Sequence, residues 1–152
     1  MAYTNLQGRQ QLLDELAAAA AELGFALGCL TEAYERLDEN AAERLEQELF
    51  RPVQAAYGRA KRTHAEFADR YELPHQTFES RAPGAPSNGA KGFLESAVEA
   101  VDGADRALAT LQDSMLPIEV GDPELRAGLT DVREAVDGLR GRVRELVRTL
   151  GR

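Results

Sequence analysis

Leucine and alanine recur every three or four residues along most of this chain, and this spacing constrains the fold more than any other feature. In the first part of the chain, eight apolar residues follow one another at alternating intervals of three and four. That period is typical of an α-helix that presents one continuous apolar stripe to a neighbouring helix. The stripe consists of Leu13, Leu16, Ala20, Leu23, Leu27, Leu30, Tyr34 and Leu37.

The kinds of apolar residue lead to the same interpretation. Alanine and leucine supply 45 of the 66 apolar residues, whereas isoleucine and valine together supply nine. Alanine and leucine are strong helix formers, while strands depend on β-branched and aromatic residues that are scarce in this chain. The composition therefore excludes a β-sandwich or a doubly wound sheet and predicts an all-α protein.

Four such stripes divide the 152 residues, which we interpret as one domain spanning 1–152. The natural packing is an antiparallel up-down four-helix bundle with long helices. Residues 74–89 are rich in proline, glycine and serine and predict a loop. Pro52 lies inside the second helix, and the sequence leaves open whether it kinks or splits that helix. The predicted helices span about 5–38, 41–73, 90–116 and 123–150.

Two positions have the residue pattern of a helix start. Asn40 precedes Glu43 in a capping-box arrangement, which predicts a tight reversal before the second helix. Asp122 is followed by Pro123, so we expect Asp122 to be the N-cap of the fourth helix and Pro123 its first residue.

The charge balance disfavours some partners. Twenty-six acidic and eighteen basic residues give a net charge of −8, and a negative field opposes binding to nucleic acid or to anionic lipid. The stretch from Leu16 to Leu30 is interrupted by Glu22, so we expect it to be too short and too weakly apolar to span a bilayer. The first residues lack the basic region of a secretory signal. These features predict a cytoplasmic protein without a membrane segment.

The first helix has more apolar surface than one stripe requires. Between Leu16 and Leu30, Glu22 is its only charged residue, so a second partner must cover the face opposite the stripe. We predict a homodimer through this helix, because two-fold dimers are the commonest oligomers. The alternative is burial within one chain, under the 74–89 loop and its Phe78. The predicted interface consists of Ala18, Ala21, Gly24, Phe25, Gly28 and Cys29.

Residues that could carry metal or cofactor chemistry are few. The chain has two histidines, and the one helical Glu-x-x-His pattern, from Glu72 to His75, is broken by Pro74. The single Cys29 cannot form a disulfide within the chain, and its place on an apolar face indicates packing. Because a glycine-rich phosphate loop is also absent from the sequence, we predict no metal site and no cofactor.

His64 is the candidate with most chemical promise. It lies on the apolar stripe of the second helix, and nearby arginines favour the neutral imidazole that a general base requires. The segment Arg59-Ala-Lys-Arg-Thr-His64 resembles the Arg-x4-6-His motif of HEPN-family ribonucleases, although Ala60 stands where many members have a polar residue. The resemblance covers six residues. It implies a metal-independent ribonuclease, with His64 as general base and Arg59 stabilising charge on the phosphate.

Three functions therefore stay open. The sequence favours a noncatalytic protein, a self-associating interaction or scaffold module, since no strong catalytic motif is present. The first alternative is the HEPN-like ribonuclease with Arg59 and His64. The second is a small-ligand pocket inside the bundle, where ring edges and a hydroxyl could orient a ligand. That pocket would be lined by Tyr57, His64, Phe67 and Tyr71.

Overall fold

The structure is a computed structural model that describes residues 2–85 and 88–150, with side chains from residue 5 onward. It confirms the all-α class, since the described residues contain helices and no strand. The helices are α1 (Ala2–Tyr34), α2 (Glu39–Leu45), a π-helical turn (Glu46–Phe50), α3 (Arg51–Arg70), α4 (Ala90–Asp113), α5 (Leu116–Glu119), α6 (Pro123–Ala135) and α7 (Leu139–Leu150).

Local capping explains where two helices begin. The predicted start of the fourth helix is confirmed, because the Asp122 side chain accepts a hydrogen bond of 2.8 Å from the backbone N–H of Leu125. The capping residue before α2 is Asp38, which accepts from the N–H of Ala41 at 2.8 Å, so the predicted role of Asn40 was wrong. Either residue type can cap a helix, and Asp38 is the one with extended backbone.

The predicted fourth helix is two helices, α6 and α7. The break falls at Gly138, whose φ of +76° lies in the left-handed region that glycine adopts without strain. Val136 and Leu139 on either side of it are both buried. The apolar spacing therefore continues across the break, which is why the spacing alone predicted one helix from 123 to 150.

At Pro52 the predicted second helix does not split into two separate helices. It does not continue as a regular α-helix either. The π-helical turn precedes Pro52, and the N–H of Arg51 bonds to the carbonyl of Glu46, five residues back. Proline has no N–H to offer the carbonyl four residues earlier, that of Glu48. The Arg142 guanidinium of α7 donates to this Glu48 carbonyl at 3.0 Å, which replaces the missing bond.

Helix α1 lies against α4 and α3, α3 also packs on α6, and α4 on α7. Leucines of α1, α4 and α6, such as Leu16, Leu94 and Leu125, are fully buried in this core. Helices α3 and α6 approach closely at Gly128, where an added Cβ would lie 2.2 Å from the Thr63 hydroxyl. Glycine is therefore required at this crossing.

Helix α1 is also the one helix in the described part of the chain that is long and apolar enough, over Asn5–Tyr34, to cross a membrane. This contradicts our expectation that the stretch was too short and too weakly apolar. Length and composition are weak criteria, because the core helix of a folded protein meets them too. Half of the most apolar window is buried inside this fold.

The contacts of Arg142 predict a measurable contribution to stability. Its guanidinium donates to two backbone carbonyls, Glu48 at 3.0 Å and Asp137 at 3.0 Å. Replacement by leucine should lower the free energy of unfolding in urea by about 1–3 kcal/mol, because a carbonyl loses its charged donor. Arg144→Leu on the same helix is the control, since Arg144 is exposed. Equal losses in the two variants would contradict this role of Arg142.

Candidate functional site

His64 lies on α3 with only 1% of its surface exposed. Its Nε2 donates to Gln76 Oε1 at 3.2 Å, and the Gln76 amide donates in turn to Asp14 Oδ1 at 2.7 Å. The ring of Phe78 packs against the imidazole edge-on, with 5.0 Å between the ring centroids. Gln76 and Phe78 belong to residues 74–85, which cross the surface of α1 and which we name the strap. His64 is therefore covered by the strap.

Burial lowers the pKa of His64 from its ordinary value of 6.5, and the positive charge of nearby His75 lowers it further. The hydrogen bond to Gln76 acts in the opposite direction but is the smaller effect. The imidazole is thus neutral at physiological pH, as the sequence predicted, although the main cause is desolvation rather than neighbouring arginines.

Arg59 does not join His64. Residues five positions apart on an α-helix point about 140° away from each other. Arg59 extends toward α6, where its Nε donates to Asp131 Oδ2 at 3.1 Å, while His64 faces the strap. The structure therefore does not bring together the two side chains on which the resemblance to HEPN-family ribonucleases depends.

The strap also covers the second face of α1. Ser80 donates to the Ala21 carbonyl at 2.9 Å, and a Cβ at Gly28 would lie 3.0 Å from the Pro83 ring. At Gly24 a Cβ would lie 2.3 Å from the Ser80 hydroxyl, so the small residues of this face allow the strap to approach. This is the alternative that the sequence left open, in which the chain covers its own first helix.

Phe25 and Cys29 are buried, whereas Ala18 alone among the six predicted interface residues is exposed. The Arg81 guanidinium of the strap stacks 3.7 Å from the Phe25 ring centroid and pairs with Glu22 at 2.8 Å. Burial raises the pKa of the Cys29 thiol to about 11, so the reactive thiolate is scarce and packing is its role.

The aromatic residues predicted to line a ligand pocket are engaged with neighbouring side chains. The Phe67 ring is fully buried and lies 4.7 Å from that of Tyr71. Arg9 stacks 4.0 Å from the centroid of Tyr71, and Lys61 lies 4.8 Å from that of Tyr57. Each of these rings thus packs against a neighbouring side chain.

Metal ligands do not gather in the described residues, which contain no group of three or more His, Cys, Asp or Glu side chains suited to an ion. His75 pairs instead with Asp69 at 2.5 Å, and both side chains are exposed. Glu72 and His75 lie beyond the end of α3, as the break at Pro74 predicted.

A cavity of about 430 Å³ opens at the break between α6 and α7. Its arginines are already neutralised, because Arg133 pairs with Asp105 at 2.9 Å and Arg140 pairs with Asp102. Arg133 also donates to Gln112 at 2.8 Å. The two arginines of this cavity are thus already paired, although other carboxylates also line it.

A second cavity, of about 350 Å³, lies between the end of α1 and the π-helical turn. We name it the aromatic-acidic groove, and it is lined by Thr31, Tyr34, Glu35, Glu46 and Phe50. Tyr34 is 46% exposed, which is unusual for a large apolar ring. The sequence assigned Tyr34 and Phe50 to apolar stripes, and so missed this groove.

The carboxylates of the aromatic-acidic groove lack cationic partners. Glu35 and Glu46 form no ion pair within the described residues, whereas nearby Glu32 and Glu48 pair with Arg36 and Arg44. Arg36, just beyond the end of α1, donates to the Glu32 carbonyl at 2.8 Å and pairs with the Glu32 carboxylate, so this cation is engaged with Glu32 rather than with Glu35 or Glu46.

One signal in the sequence could have indicated this groove. Residues 31–50 contain seven acidic and two basic residues, directly before Pro52. A proline inside a helix distorts the turn before it, and π-helical turns occur often at functional sites.

Comparisons of the chain with protein-family models, with curated proteins and with solved structures found no match.

The state of His64 predicts a pH dependence of stability. Because its pKa is lowered in the folded chain, the unfolded chain binds a proton more readily. The free energy of unfolding should therefore fall as the pH drops below about 6.5, and this group contributes at most about 1.4 kcal/mol per pH unit, the limit for one proton. Urea titrations of wild type and His64→Gln over this range measure the difference.

His75→Gln is the matched control for that measurement, since it removes the other, exposed imidazole. It should keep most of the wild-type loss of stability at low pH, because burial rather than His75 is the main cause of the lowered pKa of His64, and His64→Gln should reduce that loss further. Identical pH dependence of wild type and His64→Gln would show that His64 does not cause it.

Proposed function

We propose that this chain is a noncatalytic binding module built on an antiparallel four-helix bundle. The contacts of α1 with α3 and α4, of α3 with α6 and of α4 with α7 support the bundle, with α6 and α7 forming its fourth member. One observation carries the noncatalytic part: the strongest catalytic pair in the sequence is divided. Arg59 is paired with Asp131, and His64 is buried beneath the strap.

The ribonuclease alternative has less support for the same reason. A general base must come within hydrogen-bonding distance of the proton that it removes, and a substrate hydroxyl cannot approach a side chain that the chain itself covers. Nε2 of His64 already donates a hydrogen bond to Gln76. The small-ligand alternative is weakened by the buried, engaged rings of Phe67 and Tyr71. A cytoplasmic location and weak affinity for nucleic acid stay predictions.

An RNA-cleavage assay tests the noncatalytic proposal. Wild type, Arg59→Ala and His64→Gln are incubated with single-stranded RNA in the presence of a metal chelator. We expect the same absence of cleavage in all three, because neither side chain can reach a phosphodiester together with the other. Cleavage by wild type that both substitutions abolish would overturn the proposal.

Self-association through α1 stays a prediction, but less apolar surface is left to drive it because the strap covers most of the predicted face. We therefore expect light scattering at micromolar concentration to give the mass of a single chain, 16.6 kDa. Ala18→Glu is the informative variant, since Ala18 is exposed and Phe25→Glu would disrupt the core. A wild-type dimer that Ala18→Glu dissociates would restore the helix-1 interface.

A further inference from the structure

We infer that the aromatic-acidic groove binds an arginine or lysine side chain in a basic segment of a partner protein. This inference rests on the proposed function as a binding module. Two aromatic rings and two carboxylates line it, and none of its five lining residues is basic. Cations are attracted to the faces of aromatic rings and to carboxylates alike. Charge complementarity thus specifies a cationic occupant.

The polar groups of the groove can accept hydrogen bonds from such a cation. The Thr31 hydroxyl donates its proton to the Leu27 carbonyl of its own helix at 2.9 Å, which leaves its oxygen as an acceptor. Glu35 and Glu46 are exposed and form no ion pair within the part of the chain that the structure describes. Guanidinium or ammonium N–H donors therefore meet unpaired acceptors, whereas the cavity between α6 and α7 contains two arginines, which would repel a cation.

The surroundings favour a protein segment over a free small cation. The acidic surface continues beyond the groove through Glu39 and Glu43, both exposed. A segment with several positive charges can place one in the groove and keep the others near this surface. Such long-range attraction speeds encounter, and the groove contacts determine specificity.

Fluorescence anisotropy with a labelled peptide of alternating arginine and glycine tests the inference. We expect the double variant Glu35→Gln/Glu46→Gln to bind about tenfold more weakly than wild type. Tyr34→Leu should weaken binding severalfold, because it removes a ring and keeps a side chain of similar apolarity. Circular dichroism verifies that each variant is folded.

The matched control is Glu79→Gln/Glu99→Gln, which removes two exposed carboxylates on the strap and on α4 and changes the net charge by the same amount away from the groove. It should weaken binding less than about twofold at physiological ionic strength. Equal weakening by the two double variants, or failure of wild type to bind the peptide, would overturn the groove assignment. If spermidine bound to the groove as tightly as the peptide does, the choice of a protein segment as the occupant would be overturned.

The two proposals fail in different ways. Loss of peptide binding removes the groove inference and leaves the RNA-cleavage result unchanged. RNA cleavage that depends on Arg59 and His64 removes the noncatalytic proposal without affecting peptide affinity.

Discussion

The structure depends on one constraint: helix α1 is apolar on nearly all sides, so every face of its central part must be covered. Helices α3 and α4 cover one side, and the strap covers the other. Burying Phe25 stabilises the fold by about 1.5–3 kcal/mol, whereas an exposed ion pair such as Arg81–Glu22 adds about 0–1 kcal/mol. Hydrophobic burial therefore holds the strap in place, and the polar contacts at Ser80 and Arg81 determine where it lies.

This arrangement also determines what α3 can do. The strap that covers Phe25 continues over His64, where Gln76 and Phe78 complete the enclosure. The imidazole becomes a buried packing residue whose pKa is lowered by desolvation. The covering of α1 by the strap thus reduces the apolar surface left for a helix-1 dimer and also closes the access that a catalytic histidine would need.

Features encoded by neighbouring residues were predictable from the sequence, and features that depend on distant contacts were not. The Asp122 cap acts on Leu125, three residues away, and the apolar stripes act within single helices. The strap lacks a periodic pattern, so its packing on α1 could be offered from the sequence only as an alternative to the dimer. The bond from Arg142 to the Glu48 carbonyl joins residues 94 positions apart, and without it the outcome at Pro52 could not be foreseen.

The aromatic-acidic groove arises where the end of α1 meets an irregular part of the second helix. The π-helical turn before Pro52 places Glu46 and Phe50 beside Tyr34 and Glu35. This chain contains sixteen arginines and pairs several of them with carboxylates elsewhere, yet Glu35 and Glu46 form no ion pair within the described residues. Departures from regular local structure, such as the π-helical turn here, are typical of binding sites, and the two carboxylates are positioned to receive their cation from the ligand.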